Sequence, residues 1–341
     1  MKQIDILTIG DIAIDAFIKI NEAEALCDLE GEHCKLCLNY GGKIPYESAE
    51  ICYAVGNSSN VAVCASRLGL KTALMANIGG DQNGNMCLTV LKKENIDLTL
   101  IKKESDLPTN FHYVLWYGKE RTILVKHEKY NYNGTNVIEL QDHITPTWIY
   151  LSSLGKDSLD FHNEILEYLK KHTEIKLAFQ PGTFQIKLGI DKLIDIYKRT
   201  DVFFCNHMEA EKLLKIEPEN ISTDKDGIIR LIKMLYDYGP RIVVITDGIN
   251  GSYSYDGSEI LYMKAYYQDT IESTGAGDAF SGSFISALTQ GKNISEALMW
   301  GAVNASFVVL DVGPQKGLLT RKQIEEKVKI MEVDYKPIII N

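Results

Sequence analysis

The chain has 341 residues, 45% of them hydrophobic, with 36 Lys and Arg against 46 Asp and Glu for a formal net charge of -10. This composition suits a globular protein with one substantial core, and the acidic balance excludes non-specific nucleic-acid binding, which needs a basic field. No apolar run approaches a membrane span and Met1-Lys2-Gln3-Ile4-Asp5 lacks a signal-peptide pattern, so a cytoplasmic protein without membrane partners is expected.

Ile4 to Ile9 reads as a buried strand ending at Gly10, followed by Asp11-Ile12-Ala13-Ile14-Asp15. Asp15 lies just past the carboxyl end of that strand, where ligands sit in open α/β sheets. It is either a ligand-binding carboxylate or a solvated loop residue. Residues 16–54 are longer and more irregular than a simple connection. Phe17 to Ile20 and Lys35 to Tyr40 alternate like strands, and Asn21 to Glu32 is acidic and loop-like. The seven cysteines, an odd number scattered from Cys27 to Cys205, suggest no disulfide framework. Cys34-Lys35-Leu36-Cys37 lacks a second ligand pair to complete a metal tetrahedron, so these are read as ordinary strand cysteines.

Val55-Gly56-Asn57-Ser58-Ser59-Asn60 precedes a small-residue helix, Val61 to Leu68, stopped by Gly69. Asn60 can act as a helix cap or as a donor and acceptor toward ligand hydroxyls. Thr72 to Ile78 is a strand, and Gly79-Gly80-Asp81-Gln82-Asn83-Gly84 is a structural turn before a helix. Asn110 to Leu115 and Arg121 to Lys126 alternate and are joined by a hairpin-like turn, Tyr117-Gly118-Lys119-Glu120.

From Trp148 onward strands and helices alternate, the pattern of a mostly parallel sheet with covering helices. Strands are expected at Trp148–Ser152, Lys176–Gln180, Val202–Cys205 and Ile242–Thr246. Helices are expected near Leu159–His172, Ile190–Arg199, His207–Leu214 and Lys225–Tyr238. Asn206 and Glu209 form a capping-box pattern at a helix start, with His207 expected on the helix surface. Thr246-Asp247-Gly248-Ile249-Asn250-Gly251 is a Gly-bearing turn after a strand. Thr274-Gly275-Ala276-Gly277-Asp278 is a tight turn of small residues on the N-terminus of a helix that runs to Leu288 and stops near Gly291. Free N–H groups and the helix dipole make such a turn an anion site. A carboxylate there, Asp278, repels a phosphate unless it takes a proton from an attacking hydroxyl. A further helix follows Asn293-Ile294-Ser295-Glu296 and carries Asn304, which as a plain helix residue belongs to a solvated polar face.

Thr274 to Phe280 resembles the C-terminal signature of the ribokinase / phosphofructokinase-B family of carbohydrate and nucleoside kinases, and the ordered motifs extend the resemblance over most of the chain. It implies a single ribokinase-like α/β domain over residues 1–341, a three-layer αβα fold. The central sheet is mostly parallel, and a small β-sheet lid is built from about 16–54 and 109–132. It implies ATP-dependent phosphorylation of a sugar or nucleoside hydroxyl, with Mg²⁺. Asp278 would be the general base and Gly275, Ala276 and Gly277 the anion hole. Asp15, Gly56 and Asn60 would hold the acceptor. Asn206 and Glu209 would order the triphosphate and, through water, Mg²⁺. Thr246, Gly248 and Gly251 would meet the nucleotide phosphates, and Asn304 would lie near adenine. Relatives are activated by K⁺ beside the anion turn; Glu272 stands where Asp is common, and K⁺ is not counted among the expected cofactors. The lid is a candidate homodimer surface. The competing class is a sugar or nucleotide sensor that kept the fold and lost the chemistry, and Asp278 argues against it. A nicotinamide dehydrogenase is opposed by Phe280, where its fingerprint needs glycine.

Overall fold

The computed structural model describes residues 2–27, 34–118, 120–132, 143–216, 224–266, 268–330 and 335–340. The strands of the first half are β1 (Lys2–Ile9), β2 (Ala13–Ile20), β3 (Glu24–Cys27), β4 (Cys34–Cys37), β5 (Tyr46–Val55), β6 (Thr72–Gly79), β7 (Ile101–Glu104), β8 (Asn110–Tyr117) and β9 (Glu120–Leu124). Those of the second half are β10 (Ile144–Leu151), β11 (Lys176–Phe179), β12 (Val202–Asn206), β13 (Ile242–Thr246), β14 (Ser252–Tyr255), β15 (Ile260–Met263) and β16 (Ile338–Ile340). The helices are α1 (Asn57–Arg67), α2 (Gln82–Lys93), α3 (Leu159–Lys171), α4 (Thr183–Leu188) and α5 (Ile190–Arg199), then α6 (His207–Leu214), α7 (Lys225–Tyr236), α8 (Ala276–Thr289), α9 (Ile294–Val308) and α10 (Arg321–Ile330).

A ten-stranded sheet runs β16-β15-β14-β13-β12-β11-β10-β1-β6-β7. From β13 to β7 neighbouring strands are parallel, and β14, β15 and β16 extend it antiparallel. Parallel strands need both faces covered, because helical crossovers must return over the sheet. One face buries Phe161 and Leu169 of α3, Leu193 of α5 and Leu231 of α7. The other buries Val61 of α1, Phe284 of α8 and Val303 of α9. This is the three-layer arrangement expected. Among the described residues no helix is long and apolar enough to cross a membrane.

The sequence order reverses at β1: β6 lies to one side and β10 to the other. Such a switch point opens a crevice beyond the carboxyl ends of the strands. The segment leaving β1 there enters β2, which belongs to a four-stranded sheet, β5-β2-β8-β9, built from both proposed lid segments. Asp81 fastens this sheet to the body: it caps α2 through Gly84 N at 2.8 Å and accepts from Thr109 Oγ1 at 2.6 Å, just before β8. The end of the second segment leaves the lid, since Tyr130 and Tyr132 are buried in the main core.

The cysteine expectation is corrected. Cys27 and Cys34 form a disulfide that closes the β3–β4 hairpin, where the two residues are directly paired. An odd count could not reveal a pair brought together by a hairpin. The acidic stretch expected as loop contains β3; residues 28–32 of it, and Lys119 of the hairpin turn, lie outside the described residues.

Candidate active site

Helix α8 begins in the crevice. Gly275 caps it with φ 82, and a Cβ on Gly275 would come within 2.4 Å of Pro314 Cβ, so the turn admits no side chain there. Ala279 N donates to Gly275 O at 2.8 Å, whereas the amides of Gly277 and Asp278 donate to no group among the described residues. Two N–H groups of the first turn are thus free, and the space around Gly277 is open.

The Asp278 carboxylate is buried and held by three amides. Asn57 Nδ2 donates to Oδ1 at 2.7 Å, Gln180 Nε2 to Oδ1 at 3.1 Å and Asn60 Nδ2 to Oδ2 at 2.7 Å. Two of the three are oriented from behind. Tyr150 donates to Gln180 Oε1, and Gln315 Nε2 donates to Asn60 Oδ1 at 2.9 Å, which turns each NH₂ toward Asp278. Burial raises the Asp278 pKa; the amides from Asn60, Asn57 and Gln180 oppose it, and Asp15 adds to the rise. Oδ1 has both lone pairs engaged, so Oδ2 is the oxygen with capacity for another proton donor.

Asn57 and Asn60 act together because residues three apart lie on one helix face. The helix is set by Gly56, whose φ is 113 and whose Cβ would meet Asp11 O at 2.6 Å. Sequence reasoning chose Asn60 and missed Asn57, although the i, i+3 spacing was visible. Gln180 was expected only as the last residue of a strand, and it carries no charge. In the fold that neutrality matters, because a carboxylate at this position would face Asp278 directly.

Asp15 lies on β2 beside His112 of β8, with Nδ1 of the imidazole 3.2 Å from Asp15 Oδ1. Asp15, Gly56 and Asn60 are therefore brought to one crevice with Asp278. On the other side, Asn206 and Thr246 are paired in register at the ends of β12 and β13, and Gly248 and Gly251 follow in the next turn.

The capping box is formed: Glu209 N donates to Asn206 Oδ1 at 2.9 Å, and Asn206 N to Glu209 Oε2 at 2.9 Å. Asn206 Nδ2 and Glu209 Oε1 remain without a hydrogen-bond partner among the described residues. The Glu209 pKa is raised by burial, with Asp278 adding to the rise. His207 is not on an open surface. Its Nε2 lies 3.0 Å from Glu211 Oε1 and its Nδ1 3.4 Å from Asp247 Oδ1, tying α6 to the turn that carries Gly248.

Asn304 is corrected on both readings. It is wholly buried in the core between helices, donating to Ser283 Oγ at 2.8 Å and Cys64 Sγ at 3.4 Å and accepting from Leu319 N at 2.9 Å. It neither faces solvent nor has a polar group left for a nucleotide.

The profile of the pfkB family carbohydrate kinases matches residues 21–321. A ribokinase of Haemophilus influenzae is 25% identical over 286 residues, covering 84% of this chain and 90% of that protein. A 5-dehydro-2-deoxygluconokinase of Bacillus subtilis is 26% identical over 294 residues, covering 81% and 87%. The structure of Arabidopsis thaliana ribokinase complexed with ribose and ATP superposes with a TM-score of 0.79 at 17% identity, covering 97% of this chain and 100% of that one.

Proposed function

The chain belongs to the pfkB family of carbohydrate kinases, and from that premise we propose that it transfers the γ-phosphate of ATP to a hydroxyl of a sugar or nucleoside, with Asp278 as general base. The carrying observation is the Asp278 carboxylate, oriented by three amides beside two free N–H groups of a helix N-terminus. A binding protein would gain nothing from a buried carboxylate at an anion site.

The acceptor hydroxyl docks between Asp15 and Asp278 and gives its proton to Asp278 Oδ2. The raised pKa makes this carboxylate a stronger base than an exposed one. The second N–H of Asn60 is left to orient the hydroxyl. The amides of Gly277 and Asp278 take the negative charge that builds on the transferring phosphoryl group. Thr246 and the turn through Gly248 and Gly251 meet the donor phosphates. Glu209 Oε1 suits a hydrated divalent cation and Asn206 Nδ2 the phosphates it carries, because a second, partly buried carboxylate within the electrostatic reach of Asp278 calls for positive charge. When bound, Mg²⁺ would neutralise the phosphate oxygens. Lid closure excludes water from the hydroxyl's place. The reaction is placed in the cytoplasm, where ATP is supplied.

An ADP-release screen over sugars and nucleosides tests this reading. ADP should form with at least one acceptor, stop when the divalent cation is chelated, and need more Mg²⁺ for half-maximal rate in Glu209→Ala. Absence of acceptor-dependent ADP across the panel would refute it.

A further inference from the structure

Beside Asp15 lies a set of groups that no motif announced. His112 and His127 lie with ring centroids 5.2 Å apart, and the edge of His127 meets Phe184. His112 turns Nδ1 to Asp15 at 3.2 Å, and its Nε2 is buried without a hydrogen-bond partner. His127 Nδ1 stands 3.9 Å from Asp11 Oδ2 and is likewise buried and unbonded. Asp11 is itself satisfied by Tyr132, whose hydroxyl reaches both carboxylate oxygens at 2.8 and 2.7 Å.

The field in this crevice is negative. Asp15 raises the pKa of Asp278, so the two carboxylates feel each other. Cys52 on neighbouring β5 is pushed up to about 12, first by burial and then by Glu50, Asp15 and Glu272. Arg121, a cation at the rim, lies against Glu272 and donates to Ser273, so its charge is engaged. Burial holds His127 down at about 4, which leaves that imidazole neutral at physiological pH.

Resting on the kinase reading of this site, we infer that the acceptor is an uncharged polyhydroxy compound, an unphosphorylated sugar or nucleoside rather than a sugar phosphate or sugar acid, and that His112 and His127 help select it. A hydroxyl both donates and accepts. It can give its proton to Asp15 or to an imidazole lone pair, which satisfies nitrogens now left unbonded inside the protein. A carboxylate or phosphate dianion set against these nitrogens only accepts, so it would leave their lone pairs unmet and would add a negative charge beside Asp15 and Asp278. At an effective dielectric constant of about 20, one such repulsion at about 5 Å is enough for roughly 10²-fold discrimination.

The test uses pairs that differ in charge: ribose and ribose 5-phosphate, fructose and fructose 6-phosphate, glucose and gluconate, uridine and UMP. Turnover is followed with the full-length protein and MgATP, and binding by calorimetry with Asp278→Asn. The uncharged member should lead in kcat/KM or affinity by about 10²-fold in at least one pair, with no pair reversed. An anionic member that is preferred overturns the inference while leaving the kinase reading intact. Uncharged ligands that bind without turnover by the parent protein refute the kinase reading and uphold the inference. Failure of every uncharged ligand to bind or react overturns it. His112→Gln should raise the KM of the best uncharged acceptor about tenfold with the KM for ATP unchanged; an unchanged acceptor KM removes His112 from the selecting groups.

Discussion

The guanidinium of Arg121, carried on lid strand β9, lies 3.4 Å from the buried carboxylate of Glu272, in the segment that leads into the anion turn. Glu272 also accepts from Thr274 N at 2.8 Å and Thr274 Oγ1 at 2.6 Å, so one carboxylate braces the turn and receives the lid. On the proposed reading, acceptor enclosure and phosphate positioning share this contact.

Removing that contact should uncouple the two. Arg121→Ala leaves Glu272 buried without its cation and the lid without its tie. We expect the acceptor KM to rise about tenfold, the KM for ATP to change little, and ATP hydrolysis to increase relative to acceptor phosphorylation. Arg121→Lys should restore part of the loss, since an ammonium can reach Glu272 but lacks the fork that also reaches Ser273. Coupling unchanged in both variants would make the contact an ion pair without consequence for the lid.

Asp278→Asn keeps the size of the side chain and should preserve the fold while turnover falls about 10²- to 10⁴-fold. Gln180→Glu gives a sharper result. A second carboxyl would face Asp278 in a buried site, and like charges raise a carboxylate pKa. The acid limb of kcat/KM should move to higher pH by about one unit or more. An unmoved limb would mean that Asp278 is not the group whose ionisation sets it.

Much of this molecule was legible from its sequence. The α/β alternation after Trp148 shows because buried parallel strands and amphipathic helices differ in hydrophobic period, and α5 (Ile190–Arg199), α6 (His207–Leu214) and β13 (Ile242–Thr246) have the expected bounds. Short strands such as β14, β15 and β16 carry too few residues for a period to register. The site was half legible. Asp278 stands out as a charge in a glycine turn, whereas Asn57 and Gln180 are neutral amides whose meaning comes only from facing a carboxylate far away in sequence, and Gln315 acts only through Asn60. Asn304 failed for the converse reason: one Asn in an apolar helix looks the same whether its amide meets solvent, a ligand or the core.

That last distinction can be measured. Asn304→Ala leaves Leu319 N without its acceptor and empties part of a buried network with Ser283 and Cys64. A loss of about 1–3 kcal/mol in unfolding free energy is expected, with the KM for ATP unchanged. A large rise in that KM at full stability would return Asn304 to the nucleotide site.

Asp11 and His127 give the final prediction, because they titrate in opposite senses. Burial raises Asp11 from 3.8 to about 7, so its contribution to stability is fully present below 3.8 and is lost as pH rises through about 7. Burial lowers His127 from 6.5 to about 4, so its contribution is present above 6.5 and is lost as pH falls toward about 4. Between about pH 4 and 6.5 the folded chain holds a proton on Asp11 that the unfolded chain has released, and lacks one on His127 that the unfolded chain has bound. The two slopes cancel in the parent protein, each being about 1.4 kcal/mol per pH unit. Single substitutions should expose them. Over that window His127→Gln should lose about 3 kcal/mol relative to the parent as pH rises, and Asp11→Asn should gain about as much. Subtracting the parent curve removes the background from the other carboxylates. Denaturant unfolding of the three proteins at pH 4.5, 5.5 and 6.5 reads the difference directly. Parallel pH dependence in all three would show that neither group is held in the protonation state its surroundings dictate.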